Sequence, residues 1–164
     1  MKIPLLILVI VIGILSSGCA STRSQEENQE STFTYEFENL GMSQSEVFRA
    51  ARNFLATSYG DTNQVLRVVD ENDGVIIGRG ISPWSFGLGT ICSTNHDIRL
   101  VARDDRARLQ FEIVHGVPAT SRCAGWPWPT DSGYEKIVSD FNAFAAALES
   151  ELRGKTSDSD FFNF

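Results

Sequence analysis

The residues best suited to chemistry in this chain are two histidines and a cysteine within one short stretch: Cys92, His96 and His115. A neutral imidazole binds transition metals or moves protons near neutral pH. A thiolate four residues before a histidine is a further metal ligand. The surrounding segments alternate: Ile98, Leu100 and Ala102 precede Asp104-Asp105, and Ala107, Leu109, Phe111 and Ile113 follow it. Pairing 102 with 107, 100 with 109 and 98 with 111 puts every apolar residue on one face, and a one-residue slip scatters them. That register sets His96 opposite Ile113 and His115 opposite Thr94, so the two histidines are diagonal neighbours on the core face. A metal-assisted hydrolase using His96 and His115 is one reading. A pair of satisfied histidines at the core edge is the favoured one, because the chain has only 2 histidines. No nucleophile elbow, HExxH or phosphate-cradling glycine loop occurs. Gly78 and Gly80 fall within a strand pattern, where glycine permits close packing. Asp73, Asp104 and Asp105 form turns. The expectation is a protein that is not an enzyme, with no metal and no cofactor.

The third cysteine points to an address. Met1 and Lys2 precede an unbroken apolar run, Ile3 to Leu15. Thirteen helical residues rise about 20 Å, short of the roughly 30 Å hydrocarbon core, so the run reads as a signal-peptide segment rather than a membrane span. It closes with Leu15-Ser16-Ser17-Gly18-Cys19. That segment resembles the lipobox of bacterial lipoproteins in its relaxed form, with Ser16 three places before the cysteine and Leu15 one further back. The resemblance implies cleavage after residue 18, lipidation of Cys19 and attachment to a membrane; the alternative is an ordinary secretory signal with a chance cysteine. Ala20, a residue other than Asp, implies sorting to the periplasmic face of the outer membrane. Removing Lys2 with the signal takes the formal charge from −7 to −8. So acidic an exported chain is no partner for nucleic acid. With Cys19 assigned to lipid, Cys92 and Cys123 remain as an even pair in an oxidising compartment, and a disulfide is expected.

Two surfaces are candidates for binding. The hairpin register turns Arg99, Arg103, Arg106 and Arg108 away from the core, and Arg67 and Arg79 on the preceding strands point the same way. These are six of the eleven arginines. Asp97, Glu112, Glu36 and Glu38 share that face and form cross-strand pairs. It is either a solvated mixed-charge ladder or a platform for an anionic envelope protein, wall polymer or lipid headgroup, which arginine grips in two places. The second surface is the end of the domain where segments 82–95 and 116–130, read as loops, bring together Trp84, Phe86, Trp126 and Trp128. Strand directions place both loops at one end, as a Cys92–Cys123 bond requires. The cluster is a binding surface or a lid over the core.

The elements that position these residues are legible. Phe33, Tyr35 and Phe37 alternate with polar residues, a half-buried strand. Ser43 with Glu46 makes a capping box, flanked by a Met42–Val47 staple. The helix it opens carries Val47, Ala51, Phe54, Leu55 and Ser58 on one face and stops at Gly60. Gln64–Asp70 and Gly74–Ile81 form a hairpin around Glu71-Asn72-Asp73. Ser132 with Glu135 reads as a second capping box, opening a helix with the stripe Ile137, Phe141, Phe144, Leu148 and Leu152 and a stop at Arg153-Gly154. The order β-α-β-β-β-β-α, a five-stranded antiparallel sheet with two helices on one face, is an α+β fold.

Residues 33–81, with the runs Val65-Leu66-Arg67-Val68-Val69 and Gly74-Val75-Ile76-Ile77-Gly78-Arg79-Gly80, resemble envelope domains of unknown function with a TATA-binding-protein-like fold. The resemblance implies a sheet order 1-5-4-3-2 and no activity, and the fold's name carries no DNA binding with it. The expected organisation is a signal peptide at 1–18, lipidated Cys19 with a disordered tether to 31, one domain over 32–153 and a flexible tail over 154–164. The tail carries Phe161, Phe162 and Phe164. The favoured function is a non-catalytic, membrane-anchored binding or structural module of the envelope. The alternative within binding is an acidic inhibitor or adaptor of a cationic protein, using Asp140, Glu149 and Glu151 on the outer side of the last helix.

Overall fold

A computed structural model describes residues 29–59, 65–87 and 89–154 of the chain. The signal segment, Cys19, Gly60 and the phenylalanines of the tail lie outside the described residues. Alternating segments form β1 (Thr32–Glu38), β2 (Leu66–Asp70), β3 (Val75–Phe86), β4 (Thr90–Arg103) and β5 (Arg106–Ile113). The two amphipathic segments form α1 (Gln44–Tyr59) and α2 (Asp131–Leu152). All strand pairs are antiparallel, in the order β1-β5-β4-β3-β2. Both helices pack on one face, making the α+β arrangement expected. None of the described helices is long and apolar enough to cross a membrane.

The β4–β5 register is the one the sequence dictates, Ala102 to Ala107, Leu100 to Leu109, Ile98 to Phe111 and His96 to Ile113. Its tight turn also holds the start of α1. Asp104 accepts from the first helical N–H, of Gln44, at 2.8 Å, and Asp105 accepts from Gly41 at 2.6 Å. Ser43 donates to Glu46 from both its backbone N–H and its hydroxyl, so the Glu46 half of the expected capping box forms while the hydroxyl turns to the carboxylate. These bonds hold the Glu46 carboxyl below the usual carboxylate range. Val47, Ala51 and Leu55 are buried as expected. So is Phe48, which the expected stripe omitted because its position broadens the face beyond the i, i+4 row.

Three features differ from the sequence reading. α2 is capped two residues earlier than expected: the Thr130 hydroxyl accepts from Gly133 N–H, so Ser132 lies inside the helix. Both sites fit a cap pattern, and Thr130 is favoured because Gly133 must sit against Trp84, where a Cβ would lie 2.8 Å from the ring. Residues 29–31, expected within the tether, are held. Gln29 bonds Trp128 and Asp131, Glu30 O accepts from Tyr134, and Ser31 O accepts from Ile113.

Segment 82–95, read as a loop, is instead the outer half of a long β3–β4 ribbon closed by a turn between Phe86 and Thr90. Alternation continues through it: Ser82, Trp84, Cys92 and Thr94 turn inward while Ile81, Pro83 and Ile91 turn outward. β2 stops at the Leu66–Gly78 pair, so beyond it β3 is an edge strand, where proline is tolerated. A register shift between Leu66 and Val68 interrupts β2 itself.

The ribbon's inner face is closed by segment 116–130. Cys92 and Cys123 form a disulfide across a Cα separation of 5.5 Å, and Ser121 accepts from Ser93 and Cys123 N–H groups. A bond spanning 31 residues removes unfolded-state entropy worth about 3 kcal/mol. Reduction, or Cys92→Ser with Cys123→Ser, is therefore expected to lower unfolding free energy by about 2–4 kcal/mol in a denaturant titration. A midpoint unchanged by dithiothreitol would show that the loop contacts hold without the bond.

Candidate functional site

The helices cover one face of the sheet and leave the other open. On the open face stand all six arginines named from the sequence. Cross-strand register arranges them in rows: Glu38, Arg106 and Arg103; Glu36 and Arg108; Gln110 and Arg99; Glu112, Asp97 and Arg79. Arg79 grips Asp97 through Nε and Nη2 at 2.5 and 2.8 Å, and this pair holds the Asp97 carboxyl below its ordinary range. Arg108 pairs with Glu36 at 2.7 Å. Arg103 is drawn sideways onto the carbonyls of Asp73 and Ala102. Arg67, Arg99 and Arg106 have no side-chain hydrogen bond or ion pair among the described residues.

Two shallow depressions lie on this face. One, of about 270 Å³, is lined by Arg67, Arg79 and Arg99 together with Asp97, Gln110 and Glu112. The other, of about 220 Å³, lies among Glu36, Glu38, Arg103, Arg106 and Arg108. Both depressions mix guanidinium groups with carboxylates, and a guanidinium left outside an ion pair, such as Arg99, has the fork geometry that binds carboxylate or phosphate.

The histidine pair expected on the core face does not form. β5 ends at Ile113, Val114 N–H turns to Asn95 O, and the chain swings out through Gly116, whose φ is +83°. His115 is carried to the surface, where its ring lies against Trp128 with centroids 4.8 Å apart. His96 stays in the core. Its ring is bracketed by the Ser82 hydroxyl at Nδ1, 2.8 Å, and the Tyr59 hydroxyl at Nε2, 3.2 Å. Phe111 and Phe141 stand edge-on to it. Gly80 makes the room, since a Cβ there would strike the imidazole. Burial pushes the His96 pKa down to about 4, against a small opposing pull from Asp97.

Sequence reasoning missed Ser82 and Tyr59. The alternation continuing past Ile81 was the available signal for Ser82. The contact is a hydroxyl–imidazole pair in which Ser82 and His96 are buried and Tyr59 is partly buried. Among the described residues no group of three His, Cys, Asp or Glu is placed to hold a metal ion.

The aromatic end is mostly core. Trp84 and Trp128 are 2% and 5% exposed, and Trp84 donates to Thr94 at 2.9 Å. Phe86 and Trp126 keep some surface while packing edge to face, 4.7 Å between centroids. The tryptophans thus plug the ribbon onto α2. On α2 itself, Lys136 pairs with Asp140 and Arg153 with Glu149. Asp140 and Glu149, two of the three acids singled out on this helix, are therefore each engaged by a cation of the same segment.

With this geometry in place, comparison with known proteins is informative. Residues 33–114 match the family model described as a domain of unknown function (DUF4468) with TBP-like fold. The chain belongs to this family. The match ends before α2, which completes the domain outside the matched segment. Two solved structures are similar to the chain in fold. A TBP-like protein from Parabacteroides distasonis aligns with a TM-score of 0.52 at 12% identity, covering 73% of this chain and 92% of that one. A DUF4468 family protein from Bacteroides ovatus aligns with a TM-score of 0.51 at 16% identity, covering 79% and 87%. At those identities the likeness is one of fold. No curated protein matches the chain.

The buried imidazole makes stability depend on pH with a definite sign. In the unfolded chain His96 titrates near 6.5, in the fold near 4, so between these values the unfolded chain holds the extra proton. Its contribution is full above pH 6.5 and is lost as pH falls toward 4, by about 3 kcal/mol. His96→Gln is expected to flatten that part of the stability–pH curve, measured by denaturant titration at stepped pH. A slope identical to the parent's would show that His96 is not the group responsible.

Proposed function

We propose that this DUF4468 protein is an envelope lipoprotein, acylated at Cys19 and held on the periplasmic face of the outer membrane. Its domain acts as a non-catalytic module that binds an anionic envelope component on the open face of the sheet. The single observation that carries the binding reading is charge segregation. A chain of formal charge −7 gathers six arginines against the four carboxylates of Glu36, Glu38, Asp97 and Glu112 on one uncovered sheet face, and Arg67, Arg99 and Arg106 form no salt bridge among the described residues. That face is therefore cationic on an acidic chain. An anionic partner supplies the missing counter-charge and, on a preordered strand platform, costs little conformational entropy. The aromatic end is a weaker candidate, because two of its three tryptophans are buried. The anchoring reading is supported by the apolar run and the small residues before Cys19.

Two outcomes are expected. Metabolic labelling with a clickable palmitate should mark the chain, and Cys19→Ser should abolish the label and release the protein from the membrane fraction. A labelled Cys19→Ser chain would dismiss lipidation at this site. Photocrosslinking in cells from position 99 should capture an envelope component. Combining Arg67→Glu with Arg106→Glu should reduce capture by about tenfold, and added salt should weaken it. Both side chains are exposed, so the thermal midpoint should barely move. Undiminished capture with both charges reversed would sink the arginine face as the binding surface.

A further inference from the structure

The outer face of the β3–β4 ribbon is unlike the rest of the open sheet. No Asp, Glu, Lys or Arg lies between Arg79 and Asp97. The outward positions of this stretch include Ile81 and Ile91, 63% and 62% exposed, with Pro83 between them in register. Phe86, 43% exposed, stands at the very end. The ribbon projects past β2, which stops opposite Gly78, and past β5, which stops opposite His96. The facing segment 116–130 carries one charge, that of exposed Arg122. Ser85, Ser93 and Asn95 share these outward rows and carry no charge, so the exposed isoleucines form a charge-free tip on an otherwise charged surface, which suits contact with an apolar partner.

The course of the chain says which partner. β1 begins at the end of the sheet from which the ribbon projects, and Gln29 is fixed there by its bonds to Trp128 and Asp131. Ten residues separate Gln29 from Cys19, and ten residues reach at most about 35 Å even fully extended. Thr32 lies opposite Glu112 and hence level with Asp97, midway along β4, so the Arg103–Arg106 turn is about 20 Å behind this point and the ribbon end about 23 Å ahead of it. The chain enters β1 from the ribbon side, so an anchor at Cys19 sets the ribbon end toward the lipid. We propose that Ile81, Pro83, Phe86 and Ile91 form a bilayer-docking tip that seats in the headgroup–acyl boundary and fixes the orientation of the domain. This rests on the lipoprotein reading. Docking costs no charge desolvation at the tip, and it turns the arginine-rich part of the sheet away from the membrane it is tethered to.

The test uses the full-length protein extracted from its membrane and reconstituted into phosphatidylethanolamine–phosphatidylglycerol vesicles carrying an acyl-chain diazirine. After photolysis, labelled peptides and the mass of the N-terminal peptide are read from the same sample. Label is expected on the peptide spanning 81–91 and not on that spanning 99–108. Ile81→Asp with Ile91→Asp, both solvent-facing, should cut the tip label about fivefold while acylation and vesicle attachment persist. An acylated, vesicle-bound chain with no label at 81–91 overturns the docking tip and leaves the anchor standing. A chain without acyl at Cys19 overturns both. Label at 81–91 that falls as the number of copies per vesicle rises assigns this face to self-association and overturns docking as well.

Discussion

Phe111 is the contact on which the assembly turns. It lies on β5, inside the sheet and directly beneath α2, and four aromatic rings from three other elements converge on it. Phe141 stacks on it at 4.3 Å and 7°, Phe144 and Tyr35 meet it edge-on, and His96 approaches from β4. A β5 shifted by one residue would point this ring into water and Gln110 or Glu112 into α2. The period of two is therefore enforced by the packing of the last helix, whose stripe has nowhere else to go. The buried imidazole fits the same logic: it occupies a polar niche at the rim of this aromatic cluster, with both nitrogens met by hydroxyls.

One consequence of covering a single face is that everything polar on the strands is driven to the other. The alternation that buries Ile98, Leu100, Leu109 and Phe111 places Asp97, Arg99, Arg108 and Glu112 outward without further instruction. What alternation does not explain is the sign. Arginine dominates this face although the chain is acidic, and its six guanidinium groups outnumber the four carboxylates of Glu36, Glu38, Asp97 and Glu112 beside them. Past Arg79 the charge stops altogether. The outer face is thus divided along the strands into a cationic platform and an uncharged tip.

Much of this was legible because two independent periods agreed. The β4–β5 register and the α2 stripe each follow from apolar spacing, and they share Phe111 and Phe141. The outer ribbon was not legible, because Pro83 and the glycines at 87 and 89 are the residues that ordinarily end a strand. There the pairing is supplied by β4 and the covering by segment 116–130, neither of which leaves a local trace. Capping of α2 was ambiguous for the opposite reason: two residues suited to a cap lie two apart, and the choice is made by the indole of Trp84 pressing on Gly133. His115 was misplaced because alternation alone does not say where a strand ends. The arginine face could be read in full, since it needs only the register, whereas the Ser82–His96–Tyr59 contact joins strand to helix and so depends on tertiary packing.

An open sheet has free edges, and on a crowded surface free edges recruit one another. Here each edge is spoiled by a different means. β1 alternates Thr34 with Glu36 and Glu38 on its outward side, so a second copy adding there would bring its own acids alongside. β2 is five residues long and broken by a register shift, which leaves no straight run for a newcomer to match. Beyond β2, the exposed rim of β3 carries Pro83, which has no N–H to offer. With no straight, uncharged and fully hydrogen-bonding edge on offer, copies of the domain can crowd together without adding strand to strand into fibrils.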